Sequence, residues 1–192
     1  ILVHSHSKVV LRVLEKALND NKKFRVIVAE QEKDKTNDII NFLQEKGIPF
    51  YVVPEFMLSH IENEVTKVFL GAVTLNDSHN FVTNAGTNSV VSEFHHEHIP
   101  IYVFLITKKF SLWEAGKVQH TFKFVETKMD KSAKKSFTYE RIKFSHDRIP
   151  LTVLDHIVTE NGLFTPKQIG EIYDKMLNER NDWRKKHLTC PI

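Results

Sequence analysis

Residues 1–30, ILVHSHSKVVLRVLEKALNDNKKFRVIVAE, hold the signals that decide the fold. Ile1 to His4 is apolar almost throughout, which suits a strand covered on both faces rather than one with a wet side. Ser7 then precedes Val9, Val10, Val13, Leu14 and Leu18 at helical spacing, so a helix with one apolar stripe begins there with Ser7 placed to cap it. Phe24 to Ala29 (FRVIVA) is a short β-branched run and reads as a second strand. Strand, amphipathic helix and strand make a parallel pair joined by a right-handed crossover.

The alternation continues outward from this unit. Ile39, Ile40 and Leu43 mark a helix that stops at Gly47, Phe50 to Val53 (FYVV) a third strand, and Phe56, Met57, Leu58 and Ile61 a short helix. Val68 to Leu70 runs into Gly71 as a fourth strand, Ser89 to His96 is helical, and Ile101 to Ile106 (IYVFLI) is a fifth strand. The expected fold is α/β, a Rossmann-like doubly wound parallel sheet with helices on both faces, forming a single domain over 1–192. Ligands of such sheets sit outside the carboxyl ends of the strands, here His4 to Ser7, Glu30 to Lys33, Pro54-Glu55, Gly71 to Thr74 and Thr107-Lys108. From Lys108 to Arg148 the pattern changes: eleven Lys/Arg stand against five Asp/Glu, with Phe110, Trp113, Phe122, Phe124, Phe137, Tyr139 and Phe144 interleaved. Lys131 to Lys135 reads as an exposed loop. The core pattern returns at Leu151 to Ile157, and a last helix runs from Lys167 to about Trp183, after Gly162 and Pro166.

Composition narrows the function classes. The chain has 192 residues, 41% hydrophobic and 27% charged, which excludes wholesale disorder. No apolar run approaches the roughly 20 residues of a membrane span. Cys190 is the single cysteine, so no disulfide framework exists and a reducing, cytoplasmic setting is expected. A net charge of +3 does not by itself call for nucleic acid. Because Ile1 opens inside a core strand, an upstream portion is expected to precede it.

No G-x-G-x-x-G or G-x-x-x-x-G-K-[ST] occurs, so neither the dinucleotide fingerprint nor the phosphate loop is present, and no cofactor is expected. The Ser5 and Ser7 hydroxyls and the following helix start could hold an anion, although capping by Ser7 is the stronger reading. His95 and His98 share a helical face but lack further ligands, so the polar end of a helix is favoured over a zinc site. His4 and His6 alternate across a strand end and point to opposite faces. Ser145, His146 and Asp147 are adjacent in sequence, which does not make a triad. After Gly71-Ala72-Val73-Thr74 a polar loop leads to Thr83-Asn84-Ala85-Gly86-Thr87, where Gly86 allows close backbone approach and Thr87 or Asn88 would cap a helix whose amides could face a phosphate.

Taken in order, ILVHSHSKVVLRVLEKAL, FRVIVAE, VTKVFLGAVTL from Val65, and Asn84-Ala85-Gly86-Thr87 resemble one family: the C-terminal domain of the regulatory α, β and δ subunits of eukaryotic translation initiation factor 2B. That domain is shared with isomerases of methylthioribose 1-phosphate and ribose 1,5-bisphosphate. HSHSKVVLRVL looks most like the α subunit and EVTKVFLGA is closer to δ. The late LTVLDHIVTENGLFTP is similar to the family's final core helix and its Gly-x-x-x-Pro exit. The resemblance covers most of Ile1 to Pro166, with Lys108 to Arg148 divergent.

The resemblance also implies which chemistry is missing. The isomerases' Cys falls at Ser5, their Asp after Gly-Ala at Val73, an Arg of their phosphate site at Glu32, and their Asn-Lys pair at Thr83 and Asn84; Asp147 is retained. Valine moves no proton, so a non-catalytic regulatory subunit is expected, partnered by the other subunits of initiation factor 2B and by initiation factor 2. The alternative is a sugar-phosphate isomerase-like enzyme or a metabolite-binding relative. Nucleic-acid binding by the basic segment is a third reading, and no stacking motif supports it in the sequence, so no direct nucleic-acid partner is expected. A vestigial phosphate pocket is expected around Ser5, Ser7, Glu30, Gly71, Thr83, Asn84, Gly86, Thr87 and Asp147, weak for sugar phosphates and tightened by Glu32→Arg. A homodimer is expected through Leu151 to Phe164 and Ile169, Ile172, Tyr173 and Met176.

Overall fold

Strands without a polar side can be satisfied only by cover on both faces, and the computed structural model, which describes residues 1–76, 79–113, 121–130 and 135–187, supplies it. The elements run β1 (Leu2–His4), α1 (Lys8–Asn19), β2 (Val26–Glu30), α2 (Lys33–Glu45), β3 (Phe50–Pro54), a 3-10 stretch Glu55–His60, β4 (Val68–Gly71), β5 (Thr74–Leu75), β6 (Asn80–Asn84) and α3 (Thr87–His96). They continue as β7 (Ile101–Phe104), β8 (Thr121–Asp130), β9 (Lys135–Phe144), β10 (His146–Pro150), β11 (His156–Thr159), β12 (Gly162–Phe164) and α4 (Pro166–His187).

Seven strands form the main sheet in the order β12-β11-β7-β4-β1-β2-β3. All neighbours are parallel except β12, which runs antiparallel to β11 at the edge. The strand order reverses between β1 and β4, and that switch point opens a crevice at the carboxyl ends. Two buried clusters divide the sheet's faces. Val3, Val26 and Val28 pack with Val10, Leu14, Ile39 and Leu43 of α1 and α2. Leu2, Ile27 and Leu70 pack with Val90, Phe94, Ile169 and Tyr173 of α3 and α4. Alternation along each strand sends successive residues to opposite clusters, as a doubly covered sheet requires.

Four expectations need correction. Leu151 to Phe164, expected as a final core helix, forms a 3-10 turn and the strands β11 and β12; His156, Val158 and Thr159 are β-branched or ring-bearing residues, and β11 completes the sheet beside β7. The polar stretch after Gly71 is not all loop: β5 and β6 join β10 in a three-stranded antiparallel sheet. Much of the basic segment is a long hairpin, β8–β9, whose residues 131–134 lie outside the described residues while Lys135 already belongs to β9. The proposed dimer surface is largely internal, with Leu151, Leu154, Ile157, Ile169 and Tyr173 buried and Ile172 and Met176 packed against them.

Candidate functional site

The site grows from the turn between β1 and α1. Ser5 takes a left-handed backbone, φ 68°, which folds its side chain inward until only 4% of the residue is exposed. Ser7 is the N-cap of α1, its Oγ 3.5 Å from the amide of Val10, so the capping reading holds. Across the switch point Gly71 ends β4 so close to Ser7 that an added Cβ would fall 2.2 Å from Ser7 Cβ. This approach brings Ser5, His6, Ser7 and Lys8 together with Gly71, Val73, Asn84 and Lys109 around a cleft of about 360 Å³. Lys109 donates to the carbonyl of Ala72 at 3.4 Å. Hydroxyls, a helix start and two lysines can hold a small anion.

A second cleft, about 560 Å³, lies at the ends of β2 and β3 and holds Glu30, Gln31, Glu32, Lys35 and Glu55 beneath Phe122, Phe124 and Lys143 of the hairpin. Lys35 at 3.3 Å holds the Glu32 carboxyl below its ordinary range, and Lys143 at 3.6 Å adds to this. Beneath these carboxylates sits His4, wholly buried. Gln31 Nε2 lies 2.7 Å from its Nε2, Thr87 Oγ1 3.2 Å from its Nδ1, and Glu55 Oε2 3.5 Å from its Nε2. The Thr87 hydroxyl donates to the Asn84 carbonyl at 2.7 Å, and the Gln31 amide also approaches Nδ1 at 2.9 Å, so both ring nitrogens of His4 are engaged. Gly86, φ 96°, closes the cluster, because a Cβ there would lie 2.9 Å from a Glu55 oxygen.

The nine expected residues therefore divide. Ser5, Ser7, Gly71 and Asn84 line the anion-sized cleft, whereas Glu30 lines the other. Thr83 and Thr87 are buried, and Thr83 Oγ1 meets no hydrogen-bond partner among the described residues. Gly86, rather than Thr87 or Asn88, is the N-cap of α3. Asp147 reaches from β10 to accept from the Asn88 amide at 2.8 Å, so that helix start is taken by the chain's own carboxylate. Glu32 sits in the second cleft, away from the serines. The sequence reading named Gln31 and Glu55 only as strand-end positions, missed Lys109, and gave His4 no role beyond its place at a strand end. Only the terminal position of His4 on an apolar strand signalled a buried polar group. His95 and His98 are exposed, and among the described residues no group of three or more His, Cys, Asp or Glu could hold a metal.

A doubly wound sheet with an anion-sized cleft at its switch point, and with neither nucleotide fingerprint, defines a Rossmann-like domain of the ligand-binding or scaffold kind. The profile of the initiation factor 2 subunit family matches residues 1–166, and the chain belongs to that family. It is 27% identical over 187 residues to translation initiation factor eIF2B subunit delta of Dictyostelium discoideum, covering 88% of this chain and 30% of that protein. It is 24% identical over 184 residues to eIF2B subunit alpha of Caenorhabditis elegans, covering 92% and 57%. The chain thus spans less than two thirds of either relative. The fold is shared with a translation initiation factor eIF-2B of Pyrococcus horikoshii OT3, with TM-score 0.72 and 24% identity over 87% of this chain and 58% of that one. It is also shared with a chain of the tetrameric eIF2B-beta2-delta2 complex from C. thermophilum, with TM-score 0.66 and 21% identity over 91% and 52%. Among the described residues no helix is long and apolar enough to cross a membrane.

Proposed function

We propose that this chain is a non-catalytic regulatory subunit of the guanine nucleotide exchange factor for initiation factor 2. In that role its domain helps build the core of the assembly, pairs with other subunits and with a second copy, and senses phosphorylated initiation factor 2 in the cytoplasm. Family membership over residues 1–166 carries the reading. The chemistry of the cleft supports it. Val73, where the resemblance places a catalytic Asp, is 55% exposed beside the cleft and can neither take nor give a proton. Ser5 stands where the resemblance places a cysteine, and a hydroxyl is a far weaker nucleophile than a thiol near neutral pH. His4, the nearest imidazole in sequence with a carboxylate beside it, is wholly buried and engaged by Gln31 and Thr87.

Purification of the tagged chain from its own cells tests the reading. Subunits of initiation factor 2B should co-purify, and their absence would overturn it. Incubation with methylthioribose 1-phosphate or ribose 1,5-bisphosphate, followed by NMR, should give no product; turnover above background would favour the isomerase alternative. A second reading, a regulatory subunit that also binds a metabolite, is favoured by one observation: Lys8 and Lys109 line the cleft and supply cations that the family positions at Glu32 and Asn84 do not.

A further inference from the structure

The β8–β9 hairpin forms a sheet of its own, two strands of ten residues each. Its base, with Phe122, Phe124 and Lys143, roofs the second cleft. Its remaining length carries a pattern that the sequence could not show, because the pattern depends on register. Directly opposed residues of an antiparallel pair share a face. The pairs Phe122–Lys143, Phe124–Arg141, Glu126–Tyr139 and Lys128–Phe137 therefore stand on one face, and each joins an aromatic ring to a charged group. Along β9 the Phe137 and Tyr139 rings are stacked with centroids 6.0 Å apart. Lys128 and Arg141 lie over Tyr139 at 5.9 and 6.0 Å from its centroid.

Phe137 is 51% exposed, and Tyr139 beside it is half-buried, its hydroxyl donating to Glu126 at 2.7 Å and accepting from Arg141 at 3.3 Å. A solitary two-stranded ribbon is marginal in water, and large rings held in the open need a partner to cover them. The partner must complement the charge: residues 121–144 hold seven Lys/Arg against three Asp/Glu. It must also repeat, offering a planar face and then an anion, as the rings and cations do. An acidic peptide meets the charge and lacks the planar groups. A single-stranded polynucleotide supplies both, with bases to stack on rings and phosphates for the cations.

We infer that the ring-and-cation face of the β8–β9 hairpin is a docking surface for single-stranded RNA, reading base planes by stacking on Phe137 and Tyr139. RNA rather than DNA rests on the proposed role in translation. The earlier expectation of no nucleic-acid partner came from a sequence in which these rings show no spacing motif; pairing of the strands creates one.

Fluorescence anisotropy of the whole chain with a labelled twelve-residue oligouridylate tests this. Binding should have a dissociation constant on the order of 10 μM at 50 mM salt. Neutralisation by Lys128 and Arg141, with Lys143 held by Glu32, should weaken it about sevenfold at 200 mM, from a slope of about −1.4 in log–log form. Tyr139→Leu and Phe137→Leu keep apolar bulk and remove the ring, and each should weaken binding at least about fivefold. Tyr139→Phe should retain it, and Val125→Ala on the opposite face should leave it unchanged. No binding at 50 mM salt, equal binding by the leucine variants, or equally tight binding of a labelled twelve-residue polyglutamate would each overturn the inference. Because oligonucleotide binding needs no other subunit, failure here is distinct from failure of the co-purification test.

Discussion

Substitution of Gly71 by alanine should separate β4 from α1 and thereby open the switch point. The added Cβ would sit 2.2 Å from both Cβ and Oγ of Ser7. Apolar atoms in contact lie about 3.5–4.0 Å apart, so the overlap exceeds 1 Å. Rotation of Ser7 moves its Oγ but not its Cβ, which is fixed to the backbone at the N-cap of α1. Relief therefore requires the start of α1 to shift, and with it Val10, Leu11 and Leu14, which are buried against the sheet. Overpacking of this kind costs about 1–3 kcal/mol, and the disturbed cap adds about 1 kcal/mol. The expected loss is about 2–4 kcal/mol. In urea, followed by circular dichroism, that is a fall in midpoint of about 1–2 M for a slope near 2 kcal/mol/M. Removing the obstacle supplies the control. Ser7→Gly alone should cost only a few tenths of a kcal/mol, because glycine is tolerated at an N-cap. The double variant Ser7→Gly/Gly71→Ala should then recover most of the loss, a coupling that additive sites do not show. A Gly71→Ala protein within about 0.5 kcal/mol of the parent, or a double variant no more stable than Gly71→Ala, would refute the close approach as the reason for glycine here.

Four further outcomes follow from the same end of the sheet. His4→Ala should lower stability by about 2–4 kcal/mol in a thermal melt, since it leaves a cavity and strips partners from Gln31 and Thr87; a change below about 1 kcal/mol would show that the cluster is not cooperative. Titration calorimetry with a hexose phosphate should give millimolar affinity, lost about 10-fold or more in Lys109→Ala. Glu32→Arg, which the sequence reading expected to tighten that binding, should leave it unchanged because Glu32 belongs to the other cleft; tightening would mean the two clefts act as one. Glu160 accepts from the Thr107 hydroxyl at 2.5 Å and from its amide at 2.9 Å, and these bonds hold its carboxyl below the ordinary range. Its stabilising effect is present above the unfolded value, near pH 4.5, and is lost as pH falls through the lower folded value. Glu160→Gln should therefore flatten the acid limb of stability below about pH 4.5, and an unchanged limb would exclude the contact.

Periodicity alone determined the layered fold. Apolar runs such as VIVA at Val26–Ala29 have no wet face, and Val10, Leu11 and Leu14 repeat at helical spacing, so the parallel sheet and its covering helices are encoded locally. The serine cap and the stop at Gly47, φ 66°, are likewise local, because each depends on one residue's own geometry. Leu151 to Phe164 defied this reading because a short apolar stretch serves a strand or a helix equally well, and only the open edge of β7 makes it β11. Family likeness pointed to Ser5, Val73 and Gly71, but it could not place Glu32 away from the serines or give the α3 amide to Asp147.

What tertiary structure decided was everything that depends on partners distant in sequence. His4, Gln31, Glu55 and Thr87 span 84 positions, counting both ends, yet share one buried cluster. Lys109 enters the anion cleft through the loop after β7, and the hairpin's rings and cations share a face only through the register of β8 and β9. The physical reason is the range of the forces recorded in the sequence. Spacing along the chain reports the burial and dihedral preferences of each segment, whereas a site is made where segments meet, and their meeting is fixed by strand order and packing of the whole sheet.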